Sequence, residues 1–295
     1  LRGLHSLLEP RRLTIIVNTG DDEVFFGLHV SPDVDTVIYT LAGVIDPVQG
    51  WGIRNDSGAC LRALGRFYRA TWFRLGDRDL ATHIFRTDAL RRGRTLTQIT
   101  RAIAAAHGVR VKILPMSDAR VRTVVDVAGC GPLAFQDYLV RDRGRGRVRR
   151  ITVRGARRAR PAAGAVAALR RADFVVIPPS NPFVSIGPIL ALPGMRDALR
   201  TTRARVAAIS PIIAGAPVKG PLHRMLRGLG HEVSAAGVAK LYRDCVDVFV
   251  MDRRDAALAP RIAGLGMRPV VTDTLMSTPG KSRRLATRVL AELRR

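Results

Sequence analysis

Cysteine is scarce in this chain: only Cys60, Cys130 and Cys245 occur, odd in number, far apart and without the paired close spacing of a zinc site. That excludes a disulfide scaffold and a structural zinc module, and it fits a reducing compartment. No apolar run reaches the roughly 18 to 20 residues that a membrane span needs. Nor does a charged-then-apolar leader with a small-residue cleavage site open the chain, so the expectation is a soluble, cytoplasmic protein with no membrane partner. Disorder is excluded as well, because 295 residues with 47% hydrophobic content can bury a large core.

Acidic residues are also few: 24 Asp and Glu stand against 49 Lys and Arg, giving a net charge of +25. Such an excess suggests nucleic acid at first, since basic side chains on phosphates supply most non-specific affinity. The distribution argues otherwise. Nearly all the basic residues are Arg, spread along the chain and accompanied by abundant Ala, the pattern of a GC-rich coding sequence. One dense cluster runs from Arg141 to Arg160 among glycines and contains no Phe, Tyr or Trp. It lacks the stacking platform of a single-strand binder, so a turn between two exposed strands is expected there, and no nucleic-acid partner.

What is present is an alternation. Short β-branched runs at Leu13–Val17, Phe174–Ile177, Val206–Ile209, Val246–Val250 and Pro269–Val271 read as buried parallel strands. Helical stretches at Leu96–Ala106, Ala162–Arg171, Gly220–Leu229, Gly237–Arg243 and Lys281–Leu293 lie between and after them, two of them stopped by Gly108 and Gly230. The pattern predicts an α/β fold: one Rossmann-like, doubly wound domain over 1–295, with a mainly parallel sheet. Two insertions are expected in it, a helical one at about 50–107 and one of short strands at about 109–152. Leu1–Leu8 reads as the tail of a helix, so a first strand and its glycine-rich phosphate turn are expected upstream of residue 1.

In such folds ligands bind beyond the carboxyl ends of the strands, which turns attention to the loops there. Asn18-Thr19-Gly20-Asp21-Asp22 follows the first strand, and Ser31-Pro32-Asp33-Val34-Asp35-Thr36 comes soon after. Two clusters of carboxylate without His or Cys companions suit magnesium, which prefers oxygen ligands and shares carboxylates with substrate phosphates. The strand at Phe174–Ile177 opens into Pro179-Ser180-Asn181-Pro182 and Ser185-Ile186-Gly187-Pro188. The strand ending at Ile209 opens into Ser210 through Lys219-Gly220, adding a cation. Each loop alone is ordinary turn chemistry; repeated after parallel strands, they suit a diphosphate or nucleotide ligand.

Taken with Gly50-Trp51-Gly52, Leu75-Gly76-Asp77-Arg78-Asp79-Leu80-Ala81-Thr82-His83, Pro115-Met116-Ser117-Asp118 and Thr272-Asp273-Thr274-Leu275-Met276, these loops resemble the 2-phospho-L-lactate transferase family of coenzyme F-420 biosynthesis. The resemblance spans essentially the whole chain. It implies transfer of a phospholactyl-type group from a guanosine diphosphate ester to the hydroxyl of the deazaflavin FO, with GMP released, magnesium as cofactor and a homodimer as the assembly. The acid could be phospholactate, phosphoenolpyruvate or phosphoglycerate. By similarity Asp35 and Arg74 contact FO, Asp46 is a further active-site carboxylate, and the loops Ser180–Gly187 and Ser210–Gly220 hold the guanosine diphosphate. The expected set is therefore Asp35 and Asp46 for catalysis, and Asp21, Asp22 and Asp46 for the metal. Asn18, Thr19, Arg74, Ser180, Asn181, Ser185, Gly187, Ser210 and Lys219 join Asp35 for substrate. The alternative is a nucleotide-sugar-binding regulator of a sister family, disfavoured because Glu23-Val24-Phe25-Phe26-Gly27 replaces the Gly/Ser stretch usual after its paired aspartates.

Overall fold

The computed structural model describes residues 1–295. Helix α1 (Arg2–His5) leads into β1 (Thr14–Val17), the hairpin strands β2 (Glu23–Phe25) and β3 (Leu28–Val30), and helix α2 (Pro32–Leu41). Helices α3 (Ala59–Leu64), α4 (Asp77–Arg91) and α5 (Leu96–Ala106) precede β4 (Lys112–Pro115), followed by β5 (Arg122–Val127), β6 (Gly131–Ala134) and β7 (Val148–Arg154). The remainder alternates as α6 (Ala165–Arg171), β8 (Phe174–Ile177), α7 (Ile186–Leu190), α8 (Met195–Thr201) and β9 (Arg205–Ile209). A small hairpin, β10 (Ile212–Ile213) and β11 (Ala216–Pro217), separates these from α9 (Leu222–Gly228) and α10 (Ala235–Leu241). Strand β12 (Val248–Asp252), helix α11 (Ala259–Ala263), strand β13 (Arg268–Thr272) and helix α12 (Pro279–Leu293) complete the chain.

Strands β13, β12, β9 and β8 form a parallel sheet in that order. The alternation of side chains along each strand explains why helices cover both faces. Ala207, Ile209, Val248, Val250 and Val270 pack on Leu285, Val289 and Leu293, a single stripe of α12. Their neighbours Val206, Ala208, Phe249 and Met251 face the opposite way, against Leu169, Leu199 and Val238 of α6, α8 and α10. A second parallel ladder pairs β1 with β4, from Thr14 opposite Lys112 to Val17 opposite Pro115. Val17 and Ile113 bury against Val34 and Ile38 of α2 and Ile99 and Ile103 of α5. Thr95 starts α5 with a capping box, its hydroxyl accepting the Gln98 N–H while the Gln98 side chain accepts the Thr95 N–H.

The alternating α/β architecture is as expected, with differences in detail. Strand β4 lies in the segment read as a short-strand insertion, yet it is a parallel partner of β1; only β5, β6 and β7 form a separate antiparallel sheet, with β5 central. The parallel strands are also divided, since β1 bonds only to β4 and β8 only to β9. The two ladders are tied at both ends: Arg12 pairs with Asp173 at 3.8 Å before the strands, and Asn18 Nδ2 donates to the Val184 carbonyl at 3.2 Å after them. Asp33 and Asp35 sit not in a loop but in the first turn of α2, where Pro32 fixes the start and acids favour the dipole. The hairpin β2–β3 turns at Phe26 and Gly27, both with positive φ, and Phe26 carries no turn signal. The Arg-rich stretch joins a turn of π-helix at Asp137–Arg141 to the edge strand β7, so only one of its flanks is a strand. Basic residues on that edge oppose edge-to-edge pairing.

Gly228 of α9 lies against β7 so closely that an added Cβ would overlap the Val148 carbonyl, a backbone atom that cannot turn aside. Gly228→Ala is therefore expected to lower stability by about 1–3 kcal/mol in denaturant titration. An unchanged midpoint would contradict this close approach of α9 to β7.

Candidate active site

The site begins where β1 ends. Asn18 is 3% exposed and saturates its amide: Oδ1 accepts the Gly20 N–H at 2.8 Å, while Nδ2 donates to Asp33 Oδ2 at 2.9 Å and to the Val184 carbonyl. One side chain thus joins the loop after β1, the first turn of α2 and the loop after β8. Gly20 is required by space, since a Cβ there would lie 2.5 Å from Thr123 Oγ1 and 3.1 Å from Pro188. The turn then presents Asp21 and Asp22 side by side. Asp22 Oδ2 accepts the Ser31 hydroxyl at 2.6 Å and lies 3.8 Å from His29 Nε2.

Behind this pair lies a buried network built on α4, whose Asp79, His83 and Arg86 share one face at spacings of four and three residues. Arg86 is fully buried and donates to Asp35, to His83 Nδ1 at 3.1 Å and to the His29 carbonyl at 3.4 Å. Because Nδ1 accepts, the His83 proton resides on Nε2, which faces Asp79 Oδ2 at 3.4 Å. Asp79 Oδ1 accepts the Tyr39 hydroxyl at 2.7 Å, and Thr82 Oγ1 lies 2.8 Å from the same phenol oxygen. Asp35, Asp79 and His83 bring ligand atoms within 4.8 Å of one another, a spacing that could hold a cation. The Arg86 guanidinium already supplies that positive charge, so the triad does not need one.

Asp21 and Asp22 differ in this respect. Burial, then the charge of Asp33, holds the Asp21 carboxyl well above the usual carboxylate range. Burial does the same to Asp22, against the opposing pull of the Ser31 hydrogen bond and Arg86, and it raises Asp33 as well. The His29 imidazole is pushed down to about 4, first by burial and then by Arg86, so it is neutral beside Asp22 near neutral pH. Burial also pushes the Asp79 carboxyl up, but hydrogen bonding from His83 first, then from Tyr39, with the charge of Arg86, outweighs it and leaves Asp79 below its usual value. Thr19 Oγ1, Asp21 Oδ1, Asp22 Oδ1, Asp35 Oδ2 and Thr123 Oγ1 are buried without a partner. Unsatisfied oxygens gathered at one place are rare in folded proteins except where something binds. Asp21 and Asp22, but not Asp35, line a cavity of about 150 Å³ together with Arg122, Thr123, Gln136 and Arg154.

The loop after β8 is shaped by its own side chains. Asn181 Oδ1 accepts the Phe183 N–H at 2.9 Å, and its carbonyl accepts those of Ser185 and Ile186, both at 3.0 Å. The Ser180 N–H closes on the Pro178 carbonyl at 2.7 Å, and Gly187 has room for no Cβ, with the Pro182 carbonyl 2.8 Å away. Through Val184 and Pro188 this loop meets Asn18 and Gly20, which brings Ser185 and Gly187 near the Asn18–Asp22 turn, with Asp35 behind it in the buried network. Ser210 lies buried at the end of β9, its hydroxyl closing a turn by donating to the Ile212 carbonyl at 2.8 Å and accepting the Ile212 N–H at 3.1 Å.

A second grouping stands apart. Asp46 uses both carboxylate oxygens on its own turn, accepting the Val48 and Gln49 N–H groups at 2.8 and 3.0 Å and the Gln49 side-chain amide at 3.0 Å. These bonds, the Gln49 backbone N–H first, hold its carboxyl below the usual range. Lys219 Nζ approaches Gly50 of this turn, and the Arg74 guanidinium lies 5.9 Å over the Trp51 ring. No side-chain hydrogen bond or ion pair joins Asp46, Arg74 or Lys219 to Asp21 and Asp22. The sequence reading missed Arg86, Tyr39, Thr123 and Gln136; only the repeat of Asp79, His83 and Arg86 along one helix face could have signalled the first.

Residues 1–290 match the family described as 2-phospho-L-lactate transferase CofD. A 2-phospho-L-lactate transferase from Methanosarcina mazei is 41% identical over 286 residues, which cover 97% of this chain and 93% of that protein. This chain belongs to the CofD family. It is accordingly a transferase of the 2-phospho-L-lactate transferase type. Another relative, a phosphoenolpyruvate transferase of Kitasatospora aureofaciens, is 43% identical over 279 residues, 92% of this chain and 87% of its own length. The crystal structure of a UPF0052 family member from Bacillus halodurans superposes with a TM-score of 0.66, covering 98% of this chain and 94% of its own at 16% identity, and so shares the CofD-family fold.

Two outcomes follow from the charges. Replacing Arg86 by Met strands Asp35 without a counter-charge, and unfolding titration is expected to show a loss of about 3–5 kcal/mol; a loss under about 1 would contradict the network. For Asp21 the sign is opposite. A carboxyl raised by folding keeps its proton in the native state at a pH where the unfolded chain has lost it, so it destabilises increasingly as pH rises. In metal-free buffer Asp21→Asn should melt above the parent, with a gap that widens from pH ~4 toward neutrality; a constant gap would refute the shift.

Proposed function

We propose that this CofD-family transferase joins a small phospho-acid to FO, taking the acid's phosphoryl group from a guanosine diphosphate ester and releasing GMP, within coenzyme F-420 biosynthesis. The observation that carries the reading is the rim where unpartnered carboxylates after β1 meet the Ser180–Gly187 loop through Asn18. Relatives carry the names of transferases for two such acids, 2-phospho-L-lactate and phosphoenolpyruvate, and the same small-acid chemistry is proposed here.

The FO hydroxyl oxygen attacks the phosphorus bearing the acid, the bond to the GMP oxygen breaks, and the hydroxyl proton must leave. Positioning and charge neutralisation supply most of the acceleration in such transfers. Asp35 is assigned the hydroxyl: Arg86 keeps one of its oxygens fixed while Oδ2 remains unpartnered. Asn18 and Thr19 are assigned to the diphosphate with Ser180, Asn181, Ser185 and Gly187, the asparagines mainly by holding their turns. Ser210 and Lys219 extend that wall, and Arg74, stacked on Trp51, is assigned to FO.

Magnesium fits Asp21 and Asp22, whose buried, oxygen-only donors lack a counter-charge of their own. When bound it would neutralise charge on the diphosphate oxygens. Asp46 is assigned to shaping the Trp51 turn, from which a contact to the metal through water remains open to test. The proposal includes a cytoplasmic homodimer that binds neither nucleic acid nor membrane; no helix is long and apolar enough to cross a bilayer.

The test is incubation with FO, magnesium and each of the three guanylylated acids, reading product mass and GMP. One acid should yield the FO phosphodiester, and Asp35→Ala should lower turnover about 10²-fold or more. No product from any acid would reject the reading.

A further inference from the structure

We infer that the cavity opposite Asp21 and Asp22 is a subsite for the carboxylate of the transferred acid, with Arg154, Thr123 and Gln136 as its binding residues. The inference rests on the transferase reading and adds to it the residues that recognise the acid.

Charge is the first ground. In the β5–β7 ladder Arg122 stands directly opposite Arg154, a juxtaposition that repels unless an anion intervenes. Glu23 satisfies Arg122 through an ion pair of 2.5 Å, whereas Arg154 lines the cavity with no ion-pair partner. One guanidinium is therefore left to meet an anion from outside the chain.

Unfilled donors are the second. Thr123 is 1% exposed, and its hydroxyl lies beside Asp21 without a hydrogen bond of good geometry. Gln136 is buried too, and its amide reaches only the Asp21 carbonyl, at 3.5 Å. A carboxylate entering here would accept from the guanidinium, the hydroxyl and the amide together, and a charge-assisted pair with Arg is the strongest of these. Thr123 and Gln136 are buried and so held in place before binding, whereas Arg154 is an exposed residue of the edge strand whose long side chain can swing onto the anion.

Size is the third. About 150 Å³ is well below the roughly 300–1,000 Å³ of pockets for drug-sized ligands. A nucleotide or a tricyclic deazaflavin is too large, while the end of a three-carbon acid is of the right order. The acidic wall of the same cavity would repel a carboxylate, which directs it to the β5–β7 side.

The test compares two donors, the guanosine diphosphate ester of phosphoenolpyruvate or phospholactate and the matching ethyl ester that lacks a carboxylate. Arg154→Gln and Thr123→Val are each expected to lower kcat/KM about 10- to 100-fold with the carboxylated donor, less than about 3-fold with the ethyl ester, and to leave the KM for FO unchanged. Free phosphoenolpyruvate with magnesium should raise the melting temperature of the parent and not of the variants. Equal losses with both donors, no loss with either, or a parallel rise in the KM for FO would overturn the subsite while leaving the transferase reading intact. If the parent transfers nothing, that reading fails instead, and the subsite then stands or falls on whether phosphoenolpyruvate stabilises the parent but not the variants.

Discussion

A buried guanidinium governs the arrangement of charge in this protein. Arg86 has no contact with water, which is tolerable only because Asp35 pairs with it, Asp22 adds negative charge farther off and two neutral acceptors meet its Nη1, although its Nε has no partner. Its presence fixes the His83 tautomer, which turns Nε2–H toward Asp79, the carboxylate that also accepts the Tyr39 hydroxyl. Burial first, and Arg86 after it, keep His29 uncharged, so a second cation does not compete for Asp22. Asp35 is thereby fixed in place by its bond to the guanidinium, while Asp21 and Asp22, farther from it, remain short of positive charge.

That imbalance divides the rim into two chemistries. On the β1 side, acids with raised proton affinity and unpartnered oxygens suit a hard cation. Across a small cavity, the antiparallel sheet presents donors, including an arginine with no acid of its own. A substrate that carries a phosphoryl group and a carboxylate matches both sides at once, a pattern that neither loop chemistry nor net charge would specify alone. The large positive charge of the chain acts at longer range, favouring the approach of anions without choosing among them.

The division of the parallel strands makes Asn18 more than a turn residue. Two ladders that share a core on one face, where Leu114 joins Val206 and Phe249, and have separate cores on the other are joined at the functional end by one amide that bonds to both, and Gly20 and Gly187 allow the flanking backbones to approach. The site is thus built from contacts between segments more than 160 residues apart, as the Asn18–Val184 bond shows with a separation of 166.

Much of this was legible beforehand. The β-branched runs at 174–177 and 206–209 and the helix at 96–106 are local, because periodicity and caps are written in adjacent residues. The loops Asn18–Asp22 and Ser180–Gly187 were legible for the same reason, being small polar residues at strand ends. The sequence alone therefore determined an alternating α/β chain and named most of the segments at its functional rim. Only tertiary structure decided that β4 pairs with β1, that Asp33 and Asp35 start a helix, that Asp46 turns on itself, and that Arg86 and Arg154 matter among dozens of arginines. Those outcomes depend on which groups are left without water and without a partner, and such a balance exists only after distant segments have packed.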